Sequence, residues 1–265
     1  MVPENISWEP RELAKDRWFR SEIGPLNLFL LRRFDEWRVG SVDRRESEDF
    51  PETGALEDLP RNIEWTRWDC ADNDSLIHLL PAFPDWPIVA KPNTSLTIAP
   101  KGHALFYVGI PASIEVRGQC SGTMRTLTRV PTDNLSKTWH GDRSEGEPCY
   151  SLRTRARRHF DETDWLEQDI IVAVDLINEG VDSFEFERLF LDLGHFSIFH
   201  KDGRLWSNSC RIRITEDEEE GNDITYASAP LNPAEDAVEI AQARAGKTRR
   251  SKIRRAFASV IDVIN

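Results

Sequence analysis

The strongest constraint on the fold is a rhythm. Apolar runs of strand length are broken by turn residues at intervals of roughly 8–12 positions, the spacing of an all-β sandwich or barrel. The stretch 79–118, LLPAFPDWPIVAKPNTSLTIAPKGHALFYVGIPASIEVRG, shows it best. It supplies four strands, IHLL (beginning just before it), PIVAK, SLTIA and HALFYVGI, separated by a Pro92-Asn93 turn and a Pro100-Lys101-Gly102 turn. Pro87, Pro92 and Pro111 lack an amide hydrogen for a ladder, so they mark strand starts, edges or ends. An α/β fold would place helical segments between such runs, and none is present here. The pattern predicts an all-β chain: an antiparallel β-sandwich of about a dozen strands over residues 1–230, followed by a helical extension over 231–265.

Taken in order, residues 8–20 read as a short helix or an ordered arm. LNLFLLRRF and EWRVGSV flank Phe34-Asp35-Glu36 and predict a first hairpin, while the charged, Pro-containing segment 43–61 predicts a surface loop. IEWTRWDC alternates like a half-buried strand. SIEVRG and MRTLTRV are joined by a loop spanning Gly118 to Gly122, and Lys201-Asp202-Gly203 joins HFSIFH to RLWSNSCRIRIT; Asp-Gly is a strong hairpin signal. QDIIVAVDLIN is a more continuous apolar run and predicts a central strand.

The pattern changes after Thr215. The acidic run 216–220 predicts a solvated loop. Asn232, Pro233 and Glu235 have the spacing of a helix N-cap, first-turn proline and capping-box acid, with a stop near Gly246. Ile253, Phe257, Val260, Ile261 and Ile264 make one apolar stripe of a second helix.

Charge and cysteine usage narrow the function. With 46 acidic residues against 34 basic ones the net charge is −12, which argues against a nucleic-acid partner, since duplex binding depends on neutralising phosphates. The N-terminal residues MVPENISWEPREL show no signal-peptide pattern, and no apolar run reaches the ~18–20 residues of a membrane span. Cys70, Cys120, Cys149 and Cys210 are widely scattered, as expected of buried thiols in a reducing compartment. The expected location is cytoplasmic.

Two motif fragments carry no chemistry. Gly118-x-Cys120-x-Gly122 has the form of a nucleophile elbow but lies between strands, where a strand-to-helix turn is required. Gly246-Lys247-Thr248 copies the end of a phosphate-binding loop, yet Ala241 stands where its first glycine belongs. The six histidines have no metal-ligand spacing, so neither a metal nor another cofactor is expected. His140-Gly141-Asp142 reads as a polar loop, and Asp85 and Lys91 read as an ion pair flanking a Pro-rich strand.

Two basic features remain. Arg153, Arg155 and Arg157 share one strand face at roughly 6–7 Å spacing, and aligned guanidinium groups repel unless anions lie between them. Cross-strand acids, including Asp161, Glu162, Asp164 and Glu167, are one source of that charge. A bound anion is the other, with Ser136, Thr138, Trp139 and Tyr150 lining the same cleft. The tail supplies the second feature. Arg249, Arg250, Lys252, Arg254 and Arg255 fall in the first half of the last predicted helix, where cations oppose the helix dipole. The acidic body, an anionic membrane surface or a partner would compensate them.

Several segments together resemble the prokaryotic domain of unknown function 432 family. They are IGPLNLFLLRRFDEWRV, the stretch 79–111 with its Pro-Asp-x-Pro-x-Val-x-Lys-Pro signature, LSKTWHGD, EGEPCYSLRTRAR and KDGRLWSNSCRI. The resemblance covers roughly residues 18–214 and leaves out the acidic run and the basic tail. It implies no activity, cofactor or catalytic residue. The leading expectation is a non-enzymatic binding or adaptor module for an anionic ligand or partner. Its alternatives are an enzyme on a β scaffold acting on a sugar or phosphate compound, and a structural subunit of a homo-oligomer or membrane-protein complex.

Overall fold

Seven consecutive buried residues, Leu26–Arg32, form the centre of the first sheet. Both faces of this strand are covered: Leu28 and Leu30 enter one apolar cluster, Phe29 and Leu31 another. That explains why its sequence is a continuous apolar run with little alternation. The computed structural model describes residues 7–46, 50–60, 63–71, 73–92, 95–141, 146–160, 165–215, 222–246 and 250–253. Among them every regular element is a β-strand except three single 3₁₀ turns, Arg44–Glu46, Leu56–Asp58 and Leu193–His195, so the all-β expectation holds. No helix among the described residues is long and apolar enough to cross a membrane.

The chain divides into two compact units. The first comprises Met1–Ala82 and Pro111–Asp133, the second Phe83–Ile110 and Asn134–Asn265. In the first unit, a five-stranded antiparallel sheet runs in the order Thr53–Ala55, Arg17–Ile23, Leu26–Arg32, Glu36–Asp43, Trp65–Asp69. A four-stranded sheet runs Arg11–Glu12, Leu76–Ala82, Ser113–Cys120, Thr123–Pro131. One core joins them, with Leu28, Leu30 and Trp37 from the first sheet packed with Ile77, Leu79, Ile114 and Val116 from the second. The predicted hairpin around residues 34–36 is present, with Arg32 opposite Trp37. Residues 17–23 are a strand where a helix or arm was expected, because Trp18 and Phe19 enter opposite clusters, a period of two. Segment 43–61 also holds more order than a loop: Thr53–Ala55 pairs with Arg17–Phe19.

A buried charge hub closes one end of this unit. Arg32 is fully buried; its Nε donates to the Asp74 carbonyl at 2.6 Å and its Nη2 to the Ala71 carbonyl at 2.7 Å. The Asp74 carboxylate accepts from the backbone amides of Ala71 and Ser121 on one oxygen, at 2.8 and 2.6 Å, and from Gly122 on the other at 2.8 Å. Ser121 and Gly122 have φ of 53° and 79°, the left-handed pair of a tight hairpin turn. Burial pushes the Asp74 carboxyl up, but these amides and the Arg32 charge outweigh it and hold it below its ordinary value.

The second unit is built on a mixed sheet, which corrects the antiparallel expectation. Its path is Leu189–Leu191, Ile88–Pro92, Glu147–Arg157, His103–Pro111, Asp169–Asn178, Arg204–Ser207, Ile198–Lys201, Val238–Ala241. Glu147–Arg157 is parallel to Ile88–Pro92, and Asp169–Asn178 is parallel to both Arg204–Ser207 and Cys210–Ile214. Asp169–Asn178 is central, as its apolar run predicts, and buried along most of its length.

The helix expected to open at Asn232 is not seen among the described residues, and Phe257, Val260, Ile261 and Ile264 of the second expected helix lie outside them. Leu231 to Ala237 makes two successive turns, closed by Ala234 N–H to the Leu231 carbonyl and Ala237 N–H to the Ala234 carbonyl. Val238–Ala241 then pairs antiparallel with Ile198–Lys201, and Arg250–Ile253 pairs with Asn222–Tyr226. A cap contributes only about 1 kcal/mol and short helices are marginal alone, so burial of Ala234 and an available strand edge decide the local structure. Arg250 and Lys252 therefore lie on a strand; Arg249, Arg254 and Arg255 fall outside the described residues.

Candidate functional site

The hairpin of Ser136–His140 with Glu147–Arg157 carries the residues singled out from the sequence. Its register sets Ser136 opposite Ser151, Lys137 opposite Tyr150, Thr138 opposite Cys149, Trp139 opposite Pro148 and His140 opposite Glu147. Side chains alternate between the faces of a strand, so Lys137, Trp139 and Tyr150 share one face and Ser136, Thr138 and Cys149 the other. The structure thus divides the predicted cleft between two faces.

The Lys137 face is aromatic and basic. Trp86, in the turn before Ile88–Pro92, stacks on Tyr150 with centroids 5.3 Å apart and planes 25° apart. Lys137 Nζ lies 5.0 Å from the Trp86 ring centroid, a cation–π contact worth roughly 0.5–1 kcal/mol at an exposed site. Tyr150 donates its hydroxyl hydrogen to Asp85 Oδ1 at 2.9 Å. Partial burial first, then the Asp85 carboxylate, raise the tyrosine's pKa and keep it a neutral donor. Asp85 is thereby tied to Tyr150, while Lys91 lies beside Arg153 on the neighbouring strand. Residues 136–139 are all exposed, and Trp139, two positions beyond Lys137, leaves 49% of its surface to solvent.

The opposite face leads into packing. His140 is buried and stacks on Phe190 at 4.4 Å with planes 17° apart, beside the cluster of Val89, Cys149 and Phe190. The expected polar loop at His140 is therefore a strand end held by a ring contact. No group of three or more His, Cys, Asp or Glu side chains among the described residues is arranged to hold a metal.

Along the same strand the backbone changes neighbours. Residues 147–151 lie against Ser136–His140, and Ala156 and Arg157 lie against Val108 and Tyr107. Between them the register with Ile88–Pro92 shifts, from Arg153 opposite Lys91 to Ala156 opposite Pro92. The side chains of Arg153 and Arg155 lie outside the described residues. Arg157 is half-buried, and its Nη1 is buried with no hydrogen-bond partner among the described residues. Seven residues of strand separate Tyr150 from Arg157, about 23 Å, so a small ion touching one does not touch the other.

Trp86, Lys137 and the role of Asp85 were missed in the sequence reading. The available signal was the Asp-Trp pair held between Pro84 and Pro87, with a lysine inside an otherwise polar strand. These residues sit in the segments on which the resemblance rests. The model of a family described as protein of unknown function (DUF432) matches residues 7–262. The chain belongs to the DUF432 family. The DUF432 match extends beyond residues 18–214 at both ends and takes in the acidic run and most of the basic tail. No curated protein and no solved structure matches the chain.

Proposed function

We propose that this DUF432 protein is a cytoplasmic, non-enzymatic binding module whose sheets are packed as sandwiches and whose Ser136–His140 hairpin takes an extended acidic segment of a partner protein. The observation that carries this reading is the run of four exposed residues, Ser136–Trp139, with Trp139 and Lys137 beside the Trp86–Tyr150 stack. An exposed indole, Trp139, next to a cation is what an interface anchor looks like, and Lys137 selects for negative charge. Beyond the hairpin, at the end of Glu147–Arg157, the buried Arg157 Nη1 has no hydrogen-bond partner among the described residues, and an unsatisfied buried donor costs about 1–3 kcal/mol. Tyr150 and Arg157 are too far apart for one phosphate, and Ser136–His140, which pairs with Glu147–Arg157 alone among the described strands, offers an edge suited to strand addition by an extended chain.

The test is a thermal-shift screen of the full chain against inorganic phosphate, nucleotides and a Glu-rich decapeptide. The decapeptide is expected to raise the Tm of wild type and not that of an Arg153→Ala/Arg155→Ala/Arg157→Ala variant. A shift with phosphate alone, or an equal shift in both proteins, removes the extended acidic ligand.

A further inference from the structure

We infer that Cys70 and Cys120 are a reactive dithiol pair, which a small-molecule disulfide converts to an intramolecular disulfide linking the two sheets of the first unit. The inference is independent of the binding surface. Cys70 directly follows the strand Trp65–Asp69 of the five-stranded sheet, and Cys120 ends Ser113–Cys120 in the four-stranded one. Both are free and half-buried, and both pack on the core that joins the sheets.

Two ties bring them together, and a third fixes the backbone of Cys70. Ala71 N–H and Ser121 N–H, each one residue past a cysteine, donate to the same oxygen, Asp74 Oδ2, at 2.8 and 2.6 Å. Two amides sharing one acceptor lie less than about 5.5 Å apart, which holds the Cα atoms of Cys70 and Cys120 within about 10 Å of each other. Trp37 Nε1 donates to the carbonyl of Gln119 at 2.8 Å, and Trp37 is the cross-strand partner of Trp68, so the residue before Cys120 is fastened beside the strand that leads to Cys70. Cys70 N–H donates to the Asp35 carbonyl at 2.8 Å, fixing its backbone. A disulfide needs Cα atoms roughly 4.4–6.8 Å apart, within reach of a turn that pivots on one carboxylate.

The chemistry balances as thiol–disulfide exchange. One cysteine thiolate attacks a sulfur of the small-molecule disulfide, forming a mixed disulfide and releasing one thiolate of the oxidant. The second cysteine, deprotonated, attacks the protein-bound sulfur of that bond, forms the Cys70–Cys120 bond and releases the oxidant's other half as thiol. The protein loses two hydrogens and two electrons, and the oxidant gains them. Arg32 lies beside the Cys70 thiol and favours its thiolate, but burial dominates and raises both thiols above the ordinary value. Exchange therefore quickens with rising pH. Cys149 and Cys210, fully buried in the second unit, are held more strongly as thiols, Cys149 at about 11, and stay out of the reaction.

The experiment treats the reduced full chain with oxidised glutathione at mildly alkaline pH, then reads intact mass, disulfide-linked peptides and Tm. The expected product is about 2 Da lighter with no adduct, yields one peptide pair joining Cys70 to Cys120, and melts roughly 5 °C or more above the reduced protein, because a loop of fifty residues has been closed. Cys120→Ser is expected to fold and to stop at a glutathione adduct on Cys70; Cys70→Ser stops at Cys120. Wild type that keeps glutathione on either cysteine, or a cross-link involving Cys149 or Cys210, overturns the inference. So does wild type that stays reduced while urea-unfolded protein reacts.

Discussion

Replacing Asp74 by alanine tests the hub that closes the first unit. The side chain is 2% exposed and accepts three backbone amides, those of Ala71, Ser121 and Gly122. Each lost bond is worth roughly 1 kcal/mol when water can replace it and up to ~3 when it cannot. The Ser121–Gly122 turn is exposed, so those two amides rehydrate; Ala71 is half-buried and does so less well. Arg32, fully buried, keeps its bonds to the Asp74 and Ala71 carbonyls and loses only a nearby favourable charge. The expected loss is about 3–5 kcal/mol, a large share of the ~5–15 kcal/mol that holds a domain folded. Asp74→Asn, which keeps the shape and one acceptor, falls between. Because hydrogen bonds and Arg32 depress the folded carboxyl, its contribution is complete above the ordinary carboxylate value near 4 and is lost as pH falls through the lower folded value. The gap between wild type and Asp74→Asn therefore narrows below about pH 4. Urea unfolding followed by tryptophan fluorescence at pH 7 and pH 3 measures both effects, with a separate transition allowed for each unit. An Asp74→Ala loss below about 1 kcal/mol, or a gap equal at both pH values, refutes the reasoning.

Three further outcomes follow from single contacts. Gly40→Ala would drive its Cβ into Ile63 Cγ2 and to 3.0 Å from the Glu64 carbonyl; a loss of about 1–3 kcal/mol is expected in the same urea assay. Asn178, 2% exposed, donates to the carbonyls of Ile98, Ala99 and Asp182 and accepts from Gly180. Asn178→Ala is expected to lower stability by about 2–4 kcal/mol, seen as a lower Tm for the second unit. Arg157→Met removes a donor whose buried Nη1 has no partner among the described residues, so the free protein should keep its Tm or gain; a clear drop in thermal melting would reveal an acceptor.

What the sequence made legible is local. The hairpin of Leu26–Arg32 with Glu36–Asp43, the Ser113–Cys120 and Thr123–Pro131 pair and the Lys201–Gly203 turn are all present, because each depends on a few neighbouring residues. The parallel pairing of Glu147–Arg157 with Ile88–Pro92 joins segments some sixty residues apart, and alternation does not specify a partner. The helix signals around Asn232 give turns instead, closed by the amides of Ala234 and Ala237, and Val238–Ala241 takes the edge of Ile198–Lys201. The site shows the same division. Trp139 and Tyr150 could be picked out by residue type, but Trp86 reaches Tyr150 only through the fold. Asp85, read as half of an ion pair with Lys91, is instead the acceptor for the Tyr150 hydroxyl. The Asp74 hub joins residues up to forty-eight positions apart, which no motif announces.

The binding surface is tested most directly by calorimetric titration of a Glu-rich decapeptide into the full chain and into a Lys137→Glu/Trp139→Ala variant. Both side chains are exposed, so the variant should keep the wild-type Tm. Saturable binding to wild type is expected, with at least a tenfold weaker Kd, about 1.4 kcal/mol, for the variant. Equal affinities, or no heat with either protein, would contradict it.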